Sequence, residues 1–188
     1  MKGFAHCLTV VVLLMVAVNN THAQTRALQE ADSLYSNYNW KAAKEKYASY
    51  LGDTSKNAGV WNKLGFCNYN IGLYEDAIAD FNKTLANKPV PPVKNSALAR
   101  MSRVYAAMNK VDDAANWLNQ ATTAGYNSLP DLDSLPDYKN VRQSPKFKEI
   151  RQGLYEILYP CTKDPHSHDF DFWIGDWDCY PTGTKLLT

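Results

Sequence analysis

The residue types best suited to chemistry lie near the end of the chain, where His166, His168, Asp169 and Asp171 follow one another closely. On an extended strand, alternate side chains share a face, so the two histidines would point one way and the two aspartates the other. A closed metal site needs a third or fourth convergent ligand. No metal is therefore expected there. Cys161 and Cys179 flank this stretch as a candidate disulfide, whereas Cys67 falls in a helical apolar stripe and reads as a small buried hydrophobe. The sequence has no glycine-rich phosphate loop, no HExxH and no serine or cysteine nucleophile signature. No catalytic residue, no cofactor and no enzymatic activity are expected of these 188 residues. Asp131, Asp133 and Asp137 read as solvated charges near helix ends.

The beginning of the chain points to the compartment. Lys2 precedes an apolar run, Leu8–Val18, that is too short to span a bilayer, which takes about 20 residues. A short polar stretch follows and ends at Ala23. A basic start, a brief apolar core and a small-residue cut site have the pattern of a secretory signal peptide over residues 1–23. The expected product starts at Gln24, is periplasmic or extracellular, and keeps no stable membrane insertion after cleavage. The full chain has 20 basic and 19 acidic residues. Lys2 is the one charged residue of the prefix, so the remainder is neutral, with 19 of each. A neutral chain has no field to gather phosphate backbones, so nucleic acid is not an expected partner.

Helical hairpins must position whatever the remainder binds. In residues 58–91, Trp61, Leu64, Cys67 and Asn68 fall at helical spacing, and Gly72-Leu73 breaks the helix. A second stripe runs through Ala77, Ile78, Phe81 and Leu85 to Pro89. Thirty-four residues upstream, Trp40, Ala43 and Tyr47 stand under Tyr74, Ala77 and Phe81. Downstream the shift is 37, so that Val111, Ala114 and Leu118 answer the same three, and Leu98, Met101 and Tyr105 fill the first-helix core. The three extra residues are expected in the proline-rich loop Val90–Lys94. The alanines are expected where the two helices of a hairpin approach most closely. Residues 129–158 form a degenerate fourth unit: a short first helix through Leu132, Leu135, Tyr138 and Val141, then a second capped by Ser144-Pro145. The stripe of that second helix is Phe147, Ile150, Leu154, Ile157 and Leu158.

Trp61, Leu64-Gly65, Gly72-x-Tyr74, Ala77, Phe81 and Pro89 resemble the tetratricopeptide repeat. Asn68 departs from it where an aromatic is usual, and Thr84 where a small alanine is usual. The resemblance implies a mainly α, helical-hairpin solenoid over 24–158, with repeats at about 24–57, 58–91 and 95–128 and a capping unit at 129–158. It also implies a concave groove lined by first helices, whose ligand-facing positions here are Asp32, Tyr35, Asn62, Phe66, Tyr69, Asn70 and Arg103. Such a surface suits an extended peptide or a glycan. The basic clamp that family members use for acidic chaperone tails is absent, because Leu28 and Asp32 hold two of its positions. The implied function is an exported scaffold that binds a protein or peptide segment.

After a linker at 159–167, residues 168–188 change character. Alternation across Phe170, Phe172 and Ile174 suggests a strand, with a turn at Pro181–Gly183. One strand is not stable alone, so a truncated second domain is expected. Phe170-Asp-Phe-Trp-Ile-Gly-Asp-Trp-Asp resembles the opening of a calycin-like β-barrel family, and Gly175-x-Trp177 is similar to a lipocalin first strand. In that alternative the repeats are an adaptor for a barrel that binds a small ligand or is enzymatic.

Overall fold

The computed structural model describes residues 25–52 and 56–160. The expected signal peptide and the expected C-terminal strand, with its histidines and two cysteines, lie outside them. The described chain is helical and, among the described residues, contains no strand. Helix α1 covers residues 25–36. It is followed by α2 (Trp40–Leu51), α3 (Ala58–Asn70), α4 (Tyr74–Ala86), α5 (Pro91–Ala107), α6 (Val111–Thr123), α7 (Leu129–Ser134) and α8 (Pro145–Leu158). None of these is long and apolar enough to cross a membrane.

One kind of short turn recurs at four helix ends. After α1, α3, α5 and α6, Tyr38, Gly72, Asn109 and Gly125 adopt left-handed φ values of 59°, 82°, 58° and 102°. That conformation turns two amides back onto carbonyls left free at the helix end. At α3, Gly72 N–H donates to Tyr69 O at 3.0 Å and Leu73 N–H to Asn68 O at 2.9 Å. The chain reverses within three residues, so α3 lies on α4 and α5 on α6 as antiparallel hairpins, with α2 against α3 and α4 against α5.

The repeat register reappears as burial. Ala43, Ala77 and Ala114 are each 0% exposed, as are Tyr47, Phe81 and Leu118 four residues on. Cys67 is a free, fully buried thiol whose pKa burial pushes up to about 12, which makes it a packing group. At Gly65 α3 lies tightly against α4: a Cβ there would lie 2.8 Å from Phe81 Cε1.

Four local expectations are corrected. The three extra residues are not in a loop. Val90 is extended, at φ −62° and ψ 154°, and Pro91 and Pro92 open α5, so the insertion lengthens that helix to 17 residues against 13 for α3. The first helix of the closing unit is also not continuous. Leu135, held extended at ψ 127° ahead of Pro136, ends α7, and Tyr138 and Val141 sit in two short 3-10 turns. In α8, Phe147 and Leu154 are buried but Ile157 is 75% exposed, because no further helix covers that end among the described residues. Finally, Asp131 and Asp137 are part-buried rather than simply solvated, and all three aspartates are bonded, although Asp133 stays exposed. Asp131 accepts from Tyr126 Oη at 2.8 Å, Asp133 holds Arg151 at 2.6 Å, and Asp137 holds Arg103 at 2.8 Å. The expected N-cap of α8 is present, with Ser144 Oγ accepting from Phe147 N–H at 3.2 Å.

Candidate functional site

The first helices α1, α3 and α5 stand side by side, and the face they share carries most of the expected groove. On α3, Phe66 and Tyr69 are three residues apart and so project together. Their rings are stacked with centroids 5.8 Å apart, and Tyr35 of α1 adds a third ring 6.0 Å from Phe66. From α5, two arginines cross this aromatic row. The Arg100 guanidinium sits 4.0 Å from the Phe66 centroid and that of Arg103 5.0 Å from Tyr69.

The seven expected residues fare differently. Tyr35, Phe66, Tyr69 and Arg103 form one connected cluster. Arg103 is anchored by Asp137 at 2.8 Å and reaches the Tyr69 hydroxyl at 3.4 Å. Asn62 lies beneath the row rather than on its surface: it is 6% exposed and its Nδ2 donates to Ser96 Oγ at 3.2 Å. Asp32 is occupied by neighbouring helices, accepting from Tyr47 Oη at 2.5 Å and pairing with Lys63 at 2.7 Å. Asn70 is exposed and bonds back to Phe66 O at 2.7 Å.

Beside the row lies a cleft of about 400 Å³, with Phe66, Arg100 and Arg103 on one side and Tyr126 and Asp131 on the other. Of the expected seven, Phe66 and Arg103 line it. Arg100, Asn95, Ser96, Tyr126 and Asp131 were not expected. A signal for Arg100 exists in the sequence, because it stands three residues before Arg103 on the same helix and so shares its face.

Over 85 residues the chain is 30% identical to a chloroplastic protein of Arabidopsis thaliana. The chain is similar to that protein in part only. The match covers 45% of this chain and 25% of that protein. No protein-family model matches the chain, and no solved structure matches it.

Electrostatics distinguish the two arginines. Arg103 is paired. Arg100 is half-buried and donates to two neutral oxygens, Asn62 O at 3.2 Å and Tyr35 Oη at 3.0 Å. Among the described residues no carboxylate pairs with it. Burial lowers its pKa, and the Tyr35 hydroxyl opposes that shift. A guanidinium stays charged in proteins regardless. Near it, the buried Asn62 Oδ1 and Asn95 Oδ1 accept no hydrogen bond. The cleft therefore presents a guanidinium with no ion-pair partner among the described residues beside one unused acceptor, Asn95 Oδ1, with the Asp131 carboxylate also in its lining.

Proposed function

We propose that this chain is an exported binding scaffold of tetratricopeptide type, and that the first-helix cleft takes an extended segment of a partner protein. The observation that carries the reading is Arg100, a half-buried guanidinium over Phe66 with no acidic partner among the described residues. An unpaired buried charge is costly, and a carboxylate brought by a partner would offset that cost. The rings of Tyr35, Phe66 and Tyr69 supply apolar area for the rest of the segment. Tyrosine and arginine also tend to dominate interface energies. The burial of Ala43, Ala77 and Ala114 at matching positions of three helical hairpins supports a repeat. Export rests on Lys2 and the Leu8–Val18 run. This reading assigns the chain no reaction.

Affinity capture from the periplasm of the native host compares wild type, Arg100→Gln and the double variant Phe66→Ala, Tyr69→Ser. Both variants should lose a partner that wild type recovers, and adding salt should weaken the wild-type interaction. Equal recovery of every partner by folded variants would remove the cleft as the binding site. Amino-terminal sequencing of the product should begin at Gln24; an intact Met1 in cytoplasmic protein would remove the export reading.

A further inference from the structure

A second cleft, which shares no lining residue with the first, lies between α2, α3 and α4 and has a volume of about 340 Å³. It lies beside Asn68, where the repeat pattern calls for an aromatic ring. The shorter side chain points its Nδ2 at Asp80 Oδ2, 2.7 Å away, and leaves Oδ1 without any hydrogen-bond partner. Asn68 is 3% exposed and Asp80 6%. Burial pushes the Asp80 carboxyl up to about 6, against the opposing pull of Asn68 and Lys83, so it is mostly ionised at neutral pH. Neither oxygen of that carboxylate is in an ion pair among the described residues.

The remaining lining is of opposite character. Lys44 and Lys83 reach the cleft from α2 and α4, and the Lys83 ammonium sits 4.0 Å from the Trp61 ring centroid. With Asp76 and Asp80 against Lys44 and Lys83, the lining is balanced in charge. A small cation or anion gains little net field in such a site. What the site offers is one unfilled acceptor, Asn68 Oδ1, and a carboxylate, Asp80, whose Oδ2 already accepts from Asn68, together with two ammonium donors. A hydroxyl group both donates and accepts, so a molecule bearing adjacent hydroxyls is the type that can serve both sets at once. The volume falls in the lower range of small-molecule pockets.

We propose that this cleft is a binding site for a neutral polyhydroxylated ligand of monosaccharide size, held by Asn68 and Asp80 as acceptors and by Lys44 and Lys83 as donors. It is separate from the first-helix cleft and does not depend on it.

The test uses isotope-labelled full-length chain titrated with D-glucose, D-galactose and D-mannose, with the Asn68 side-chain amide and the Trp61 indole N–H followed by NMR. At least one sugar should shift both resonances saturably. Asn68→Tyr, which restores the ring of the repeat pattern and fills the cleft, should abolish the Trp61 response while the chain stays folded. Asp80→Asn, which keeps an acceptor but loses the charge, should weaken binding several-fold. Arg100→Gln should bind the sugar like wild type, which separates this site from the first-helix cleft. No saturable shift with any of the three sugars would overturn the proposal. So would an unchanged response in Asn68→Tyr, or saturation by methylammonium chloride alone.

Discussion

At Gly65 the backbone of α3 meets the Phe81 ring of α4, and the missing side chain is what lets the hairpin close. A Cβ at that position would meet Phe81 Cε1 at 2.8 Å, Phe81 Cδ1 at 2.9 Å and Asp80 Cβ at 3.2 Å. Gly65→Ala is expected to destabilise the fold by roughly 1–3 kcal/mol through overpacking, measured by urea unfolding. An unchanged midpoint would show that the ring can swing away freely. Asp80 gives the opposite sign. Its folded pKa of about 6 exceeds the usual 3.8, so the folded chain holds the proton more tightly than the unfolded one. This group's contribution is therefore most favourable below the unfolded pKa and is lost as pH rises toward and through about 6. The facing charges, Lys44, Lys83 and Asp76, and the amide of Asn68 set how far the shift goes. Asp80→Asn should raise stability at pH 7 by roughly 1–3 kcal/mol and flatten the difference between pH 4 and pH 7. Equal pH dependence in the two proteins would show that Asp80 titrates normally.

Single helix ends can be tested in the same way. The residue after the α4 C-cap is Lys88, held at φ 49°. A left-handed lysine costs about 1–2 kcal/mol that glycine does not. Lys88→Gly is therefore expected to stabilise by about 1 kcal/mol, read as a rise in thermal midpoint. Ser144→Ala removes the side chain that accepts from Phe147 N–H, and should cost about 1 kcal/mol. A loss much larger than that would mean Ser144 also orders the 3-10 turns before it. These ends were readable in the sequence where their chemistry is local. Ser144-Pro145 and Gly72 announce themselves by type. The lengthening of α5 did not: two adjacent prolines are equally at home in a loop or in the first turn of a helix, and the residues after them decide between the two. Here Ala97, Leu98 and Met101 bury against neighbours and draw the helix start back to Pro91.

At the scale of the whole molecule, the closing unit covers the end of the third hairpin. Leu129, Leu132, Tyr138, Val141, Phe147 and Leu154 form one buried cluster with Ala106, Ala114 and Leu118. The Tyr138 hydroxyl donates to Ser102 Oγ at 3.1 Å, and Arg103 pairs with Asp137 across the same seam. A chain ending after Asn127 should expose that cluster, melt at lower temperature than residues 24–160 and aggregate on heating. Circular dichroism of 24–160 should be strongly helical; a β-dominated spectrum would contradict the fold, and equal melting of the two chains would contradict the role of the closing unit. The sequence by itself determined the paired helices, their register, shifted by 34 residues upstream and 37 downstream, and the buried alanines, because each depends on spacing along one or two neighbouring helices. It also indicated Phe66, Tyr69 and Arg103 as residues of one face. Only the tertiary structure decided that Arg100 lies over Phe66 without a carboxylate, that Asn62 and Asp32 are taken up by other contacts, and that Asn68 borders a cleft. Those outcomes depend on how far one hairpin is offset from the next and on which polar atoms that offset seals from water, and periodicity within a hairpin carries no record of either.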